Sequence, residues 1–277
     1  PDVCHINNPE GFEMKKTVVS YILGLALGAG FVSSSLAADK TLKVGVTAGP
    51  HAQIMEVVKE EAAKKGYDIE IIEFSDYVQP NVALAAGDLD ANSYQHLPYL
   101  ENANADRNYG IVSMAKTVVF PIGIYSKKIK DLSDVKEGSR FALPNDPTNG
   151  GRALLLLETQ GLIKLDPKAG IKATPIDVIE NPKKLRFIEL DAAQLPRSLD
   201  DVDFAAVNTN FAIEAGLTPK EDAIVLEDGD SPYANIIAVR EKDLDRADLK
   251  AFVQIYQSQP VKNFVVKKYQ DSILVAW

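Results

Sequence analysis

Along most of the chain, short runs with a two-residue apolar period take turns with longer stretches whose apolar positions recur at helical spacing. Residues 41–46 (T-L-K-V-G-V) alternate as a strand does, and 52–65 follow with the period of a helix. Residues 68–74 (D-I-E-I-I-E-F) form a second strand segment. Pro80 stands where the next helix starts and Gly87 where it stops. Residues 89–94 read as a third strand, and the segment after Pro98 as another helix. This β-α-β-α-β order predicts a parallel sheet covered by helices.

The stretch 117–126 (T-V-V-F-P-I-G-I-Y-S) differs. It is long and β-rich, but Pro121 and Gly123 confine it to an edge or to a transition between sheets. A second βα series begins at 139–143 and continues through a helix at 150–159 and strands at 187–190 and 202–207. Residues 232–239 (P-Y-A-N-I-I-A-V) make a second crossover-like segment, followed by helices at 247–256 and 261–269. Two βα series joined by two extended segments predict an α/β protein of two lobes with a double-crossover hinge. Lobe one is expected at 39–122 plus 233–277, and lobe two at 123–232.

The N-terminus follows none of these periods. Lys15 and Lys16 come after Met14, an apolar stretch runs from 18 to 32, and Ser35-Leu36-Ala37 offers a cleavage site. That is the layout of a secretory signal peptide at 14–37, with 1–13 as an upstream extension outside the fold. Cleavage after Ala37 removes Cys4, the only cysteine, and leaves 28 basic and 36 acidic residues, a net charge of -8. Without cysteine there is no disulfide, no thiolate nucleophile and no residue for a lipid anchor at the cleavage point. The expectation is a soluble periplasmic monomer without a lipid anchor.

The acidic balance argues against nucleic acid or an anionic membrane surface as partner, since either needs a basic face. Only His51 and His96 survive processing, and no H-E-x-x-H, G-x-S-x-G or Walker A sequence occurs. Neither metal, cofactor nor catalytic residues are assigned.

Three constellations can still carry chemistry. The first is Pro144-Asn145-Asp146-Pro147-Thr148-Asn149-Gly150-Gly151-Arg152. Thr148 or Asn149 can cap the helix that follows, and the paired glycines let a ligand approach the backbone. Free N–H groups attract a carboxylate, to which Arg152 adds a bidentate ion pair. An ordinary turn with Arg152 in solvent is the competing reading. The second is aromatic: Tyr77, Tyr94, His96 and Tyr99, after strands two and three, where open α/β sheets border their ligand crevice. Rings there would enclose an apolar or thioether side chain; ordinary core or surface tyrosines are the alternative. The third is Asn208 and Asn235, whose amides suit both ends of a zwitterion but also suit plain turns.

Taken in order, these segments resemble the MetQ/NlpA family of methionine-binding proteins from ABC importers. The matching stretches are T-A-G-P-H-A-Q-I (47–54), F-S-D-Y-V-Q-P-N (74–81), D-A-N-S-Y-Q-H-L-P-Y-L (90–100), L-P-N-D-P-T-N-G-G-R-A-L-L-L-L (143–157), D-V-D-F-A-A-V-N-T-N (201–210) and S-P-Y-A-N-I-I (231–237). The resemblance implies a periplasmic-binding-protein fold, a methionine ligand, and a membrane permease with its ATPase as partners. It implies that Arg152 pairs with the ligand carboxylate, with Asn208 and Asn235 on the amino and carboxylate groups and Asn149 assisting. Tyr77, Tyr94, His96 and Tyr99 would line the side-chain pocket. At position 94 the family often carries phenylalanine, so the extra hydroxyl of Tyr94 bears on side-chain preference. Competing readings keep the fold for another apolar amino acid, a D-isomer or a methionine-containing dipeptide. Two readings of other classes are an enzyme on a similar scaffold and a surface adhesin.

Overall fold

The computed structural model describes residues 41–229 and 231–277. The expected upstream extension, signal peptide and cleavage point lie outside the described residues. Lobe one opens with β1 (Leu42–Thr47), α1 (Pro50–Ala63), β2 (Ile69–Phe74), α2 (Gln79–Ala86), β3 (Ala91–Asn92), α3 (Leu97–Arg107) and β4 (Ile111–Val119). The second series holds β5 (Gly123–Tyr125), β6 (Arg140–Pro144), α4 (Pro147–Thr159), β7 (Lys164–Leu165), β8 (Val178–Glu180) and β9 (Arg186–Leu190). It ends with α5 (Leu195–Ser198), β10 (Phe204–Val207), α6 (Thr209–Glu214), α7 (Pro219–Asp222) and β11 (Val225–Leu226). The chain then returns through β12 (Ala234–Arg240), α8 (Ala247–Tyr256), α9 (Gln259–Tyr269) and β13 (Leu274–Val275).

Two main sheets result, ordered β13-β4-β12-β3-β1-β2 and β11-β5-β10-β6-β9, with β7 and β8 paired apart. The expected all-parallel sheets are mixed. Parallel pairing holds for β2-β1-β3 and for β10-β6-β9. The strands flanking each crossover, β4 with β12 and β5 with β11 and β10, pair antiparallel. The reason is the double passage: the chain leaves the first sheet along β4, and β12 comes back into that sheet between β4 and β3. Pro121 marks the first passage, a transition between sheets rather than an edge. The third strand is shorter than its pattern, although the Asp90 and Ser93 N–H groups on either side of it still donate to the Lys43 and Gly45 carbonyls of β1.

Burial follows the periods. In β6, Phe141 and Leu143 join one apolar cluster with Leu154, Leu157 and Phe204, while Ala142 faces a second with Leu195 and Phe211. Both faces of that strand are covered, which is why it reads as a continuous apolar run. In lobe one, α1, α8 and α9 bury Ile54, Met55, Val58, Phe252, Tyr256 and Val265 with Val44 and Val46 of β1. A further cluster of Leu84, Leu89, Leu100 and Ile236 ties α2 and α3 to the sheet. Among the described residues no helix is long and apolar enough to cross a membrane.

The start of α4 departs from expectation twice. Its cap is Asp146, whose Oδ1 accepts the Asn149 N–H at 2.9 Å, because Pro147 takes the first helical position and puts the cap just before it. Gly150 and Gly151 serve the protein's own backbone rather than a ligand. A Cβ at Gly151 would lie 2.2 Å from the Ile171 carbonyl oxygen, and one at Gly150 2.8 Å from that of Pro144. Gly151→Ala is therefore expected to lower stability by about 1–3 kcal/mol, the usual cost of overpacking, despite a helix-propensity gain of about 1 kcal/mol. Gly150→Ala should be milder. Urea melts of both variants check this, and an unchanged Gly151→Ala midpoint would show that the loop at 171 yields freely.

Candidate functional site

The loops after β2 and β3 carry Tyr77, Tyr94, His96 and Tyr99, while α4 carries Asn149 and Arg152. Asn208 caps the start of α6, and Asn235 is the second residue of β12. All eight line one small cavity of about 20 Å³, together with His51, Gln95, Phe120 and Asn210.

The aromatic wall is braced from behind. The hydroxyls of Tyr94 and Tyr99 both donate to the Tyr77 carbonyl, at 2.8 and 2.9 Å, and the Tyr77 hydroxyl donates to Asn210 Oδ1 at 2.6 Å. The three rings stand 5.9–6.2 Å apart, tilted or edge-on. Burial pushes all three phenols above their usual range, so they stay neutral. With its hydroxyl committed to backbone, Tyr94 offers the cavity an aromatic surface, much as phenylalanine would.

Hydrogen bonding assigns the proton on each histidine. The Tyr99 N–H donates to His96 Nδ1 at 3.1 Å, so Nε2 carries the proton and donates to Asn149 Oδ1, also at 3.1 Å. His51 Nε2 accepts from Asn235 Nδ2 at 2.9 Å, which leaves Nδ1–H for Thr47 Oγ1 at 2.7 Å. Burial lowers both imidazoles to about 3, helped at His96 by the charge of Arg152. Asn149 is fully engaged: its Oδ1 also accepts from Asn208 Nδ2 at 3.0 Å, and its Nδ2 donates to Asp146. Tyr77 to Asn210 and His96 to Asn149 thus join the first βα series to the second across the cavity.

Arg152 is 3% exposed. Its bidentate partner is Glu227, which takes Nε at 2.9 Å and also Nη2, while Nη2 donates to the Phe120 carbonyl at 2.8 Å. The Tyr233 ring lies 4.3 Å from the guanidinium carbon. The expected bidentate grip on a ligand is therefore already occupied, and Nη1 alone lacks a hydrogen bond from the described residues. The expected anion-binding helix end is likewise capped by Asp146. Two buried amide atoms of opposite character have no hydrogen-bond partner among the described residues: Asn208 Oδ1, an acceptor, and Asn210 Nδ2, a donor. Buried polar atoms are seldom left so. Among the described residues no group of three or more His, Cys, Asp or Glu side chains is placed to hold a metal ion.

The family model of the NlpA lipoprotein matches residues 42–277. The chain belongs to the NlpA lipoprotein family. Its relatives in that family include the D-methionine-binding lipoprotein MetQ of Salmonella typhimurium strain LT2, 50% identical over 85% of this chain and 88% of that protein. The MetQ of Escherichia coli K12 is 48% identical over the same shares. A nutrient-binding protein from Burkholderia cenocepacia, solved bound to methionine, superposes with a TM-score of 0.84 at 53% identity, covering 86% of this chain and all of that one. These NlpA-family proteins are named for binding, and none of these names describes an enzyme.

The family corrects one expectation. A protein without a lipid anchor was inferred from the lack of cysteine at one cleavage point. The family is one of lipoproteins, and outer membrane lipoprotein 3 of Mannheimia haemolytica, 48% identical over 85% of this chain and 90% of that protein, bears the same description. These relatives point to lipid anchoring. The inference failed because it rested on a single residue type in a segment outside the described residues.

His51, Gln95, Phe120 and Asn210 were not singled out as cavity residues, although three of them lie inside the family-like stretches. Gln95 and Asn210 stand one or two places from noted residues, and only their partners, Asn235 and Tyr77, reveal the direction of His51 and Asn210. The neutral histidines also carry a pH signature. An ordinary imidazole titrates near 6.5 in the unfolded chain and near 3 here. Below pH 6.5 the unfolded chain takes up protons that the folded one refuses, so stability falls as pH falls. The expected slope is about 1.4 kcal/mol per pH unit for each histidine once well below 6.5. Urea melts between pH 7.5 and 5 check the sign, and His51→Gln should flatten part of the slope.

Proposed function

We propose that this chain captures methionine between its two lobes and delivers it to an ABC importer, a membrane permease with its cytoplasmic ATPase, acting as a monomer. The lobes are taken as 39–122 plus 233–277 and 123–232. The observation that carries the reading is the pair of unpartnered amide atoms on residues that line one cavity with Arg152 and three tyrosine rings. Asn208 Oδ1 suits an ammonium, while Asn210 Nδ2 and Arg152 Nη1 suit a carboxylate. Asn235, with its Nδ2 given to His51, offers its oxygen to the same ammonium. Asn149 acts by holding His96 and Asn208, and the rings of Tyr77, Tyr94 and Tyr99 with His96 enclose the thioether.

Methionine has nine non-hydrogen atoms, so at about 1.5 kcal/mol per atom its best binding is roughly 13 kcal/mol, near nanomolar. Approaching that ceiling demands almost complete enclosure, which two closing lobes supply and a surface groove does not. Relatives named for D-methionine and a relative solved with methionine support the side chain without fixing the isomer.

Asn208→Ala is expected to weaken methionine binding about tenfold or more, the worth of a hydrogen bond to a charged group. Its ligand-free melt should move by about 1 kcal/mol or less. Calorimetry with L-methionine, D-methionine, leucine and a methionine-containing dipeptide checks both role and ligand. Undiminished affinity in the variant would remove Asn208 from the site, and tighter binding of leucine would remove methionine as the ligand.

A further inference from the structure

We infer that Glu227 sets the charge balance of the cavity and thereby selects a zwitterion over a singly charged molecule of the same shape; the inference rests on the methionine reading above. Glu227 stands just after β11, on the passage back to the first sheet. Its backbone N–H donates to the Ile122 carbonyl at 2.9 Å, and its Oε2 accepts the Ile122 N–H at 3.3 Å, so the carboxylate is fixed between the two crossovers. Both oxygens face Arg152.

The charges around the cavity can be followed one by one. Arg152 contributes one positive charge, and Glu227 cancels it at hydrogen-bond distance. His51 and His96 are buried and neutral, as are the three tyrosines. Asp146 lies behind the lining, as Glu227 does, and on the wall of a neighbouring cavity; the Asn149 side chain and the start of α4 hold its carboxylate, and its charge is felt at the Tyr77 and Tyr99 hydroxyls. A positive guanidinium alone would favour any carboxylate, whether or not an ammonium came with it. With Glu227 in place the charge of Arg152 is balanced, and the wall is dipolar rather than positive. Such a wall favours a ligand whose own charges cancel, and each charge of that ligand then meets its complement.

The inference concerns selection, so its test compares three ligands that share the thioether arm. These are methionine, 4-(methylthio)butanoate, which lacks the ammonium, and methioninol, which lacks the carboxylate. Calorimetry on the wild-type protein should show methionine bound roughly 100-fold tighter than either, from the lost charged hydrogen bonds together with the unbalanced charge. Glu227→Gln keeps the size and one acceptor for Arg152 but removes the negative charge. It should narrow the gap between methionine and the anion about tenfold and widen the gap to the cation by a similar factor. Opposite movement of the two gaps is the signature, because a loss of positioning alone would weaken all three ligands together. Glu227→Asp, which retains the charge, should leave both gaps within about threefold of wild type.

Gaps that stay put, or move in the same direction, overturn the role of Glu227 while leaving methionine binding intact. Should the glutamine variant fail to fold, the wild-type gaps decide: an anion bound within threefold of methionine overturns the inference, and two large gaps support it. Wild-type protein that binds none of the three overturns the methionine reading itself, a different result from normal methionine affinity with unmoved gaps.

Discussion

A guanidinium cannot shed its charge at any ordinary pH, so carrying Arg152 into the wall of a cavity obliges the surrounding chain to answer it. The answer comes from two stretches far apart in sequence: the Phe120 carbonyl in the first crossover, and the Glu227 carboxylate at the mouth of the second with the Tyr233 ring within it. Each contact requires the crossovers to lie side by side against α4. The arrangement of the two sheets and the presence of one buried positive charge are thus a single constraint seen from two sides.

The remaining polar groups follow from that charge. Both histidines sit where protonation would cost too much, and each uses its two nitrogens to hold an asparagine and either a hydroxyl or a backbone N–H in a set direction. Asn149 is oriented by the cap of its own helix and in turn orients His96 and Asn208. The Tyr94 and Tyr99 hydroxyls are spent on one carbonyl and that of Tyr77 on Asn210, so the rings keep fixed positions. Little around the cavity is free to rotate, which limits what a ligand must order on arrival.

Much of this was legible in the residues. The two βα series, the crossover at Pro121 and helices α8 and α9 follow from apolar period and from proline and glycine placement. All eight candidate residues reach one cavity. What local patterns could not carry was partnership across long separations. Glu227 is 75 residues from Arg152, and nothing in its neighbourhood distinguishes it from the other acidic residues. Gly150 and Gly151 announced a close approach, but not whether ligand or protein backbone would be the visitor. The antiparallel strands escaped because alternation marks a strand without giving its direction.

The bracing of Arg152 against both crossovers has a consequence for the order of events. When two bodies rotate about a pair of connecting strands, points beside the pivot travel least and points at the rim travel farthest. The guanidinium is bonded to the two crossovers themselves, whereas the Tyr77 to Asn210 bond joins the first βα series to the second away from them, so in the proposed closure it would span the moving parts. An arriving molecule would therefore find its charged end received at a nearly stationary seat while the rings are still distant, and the swing that follows would fold the aromatic wall over the remainder.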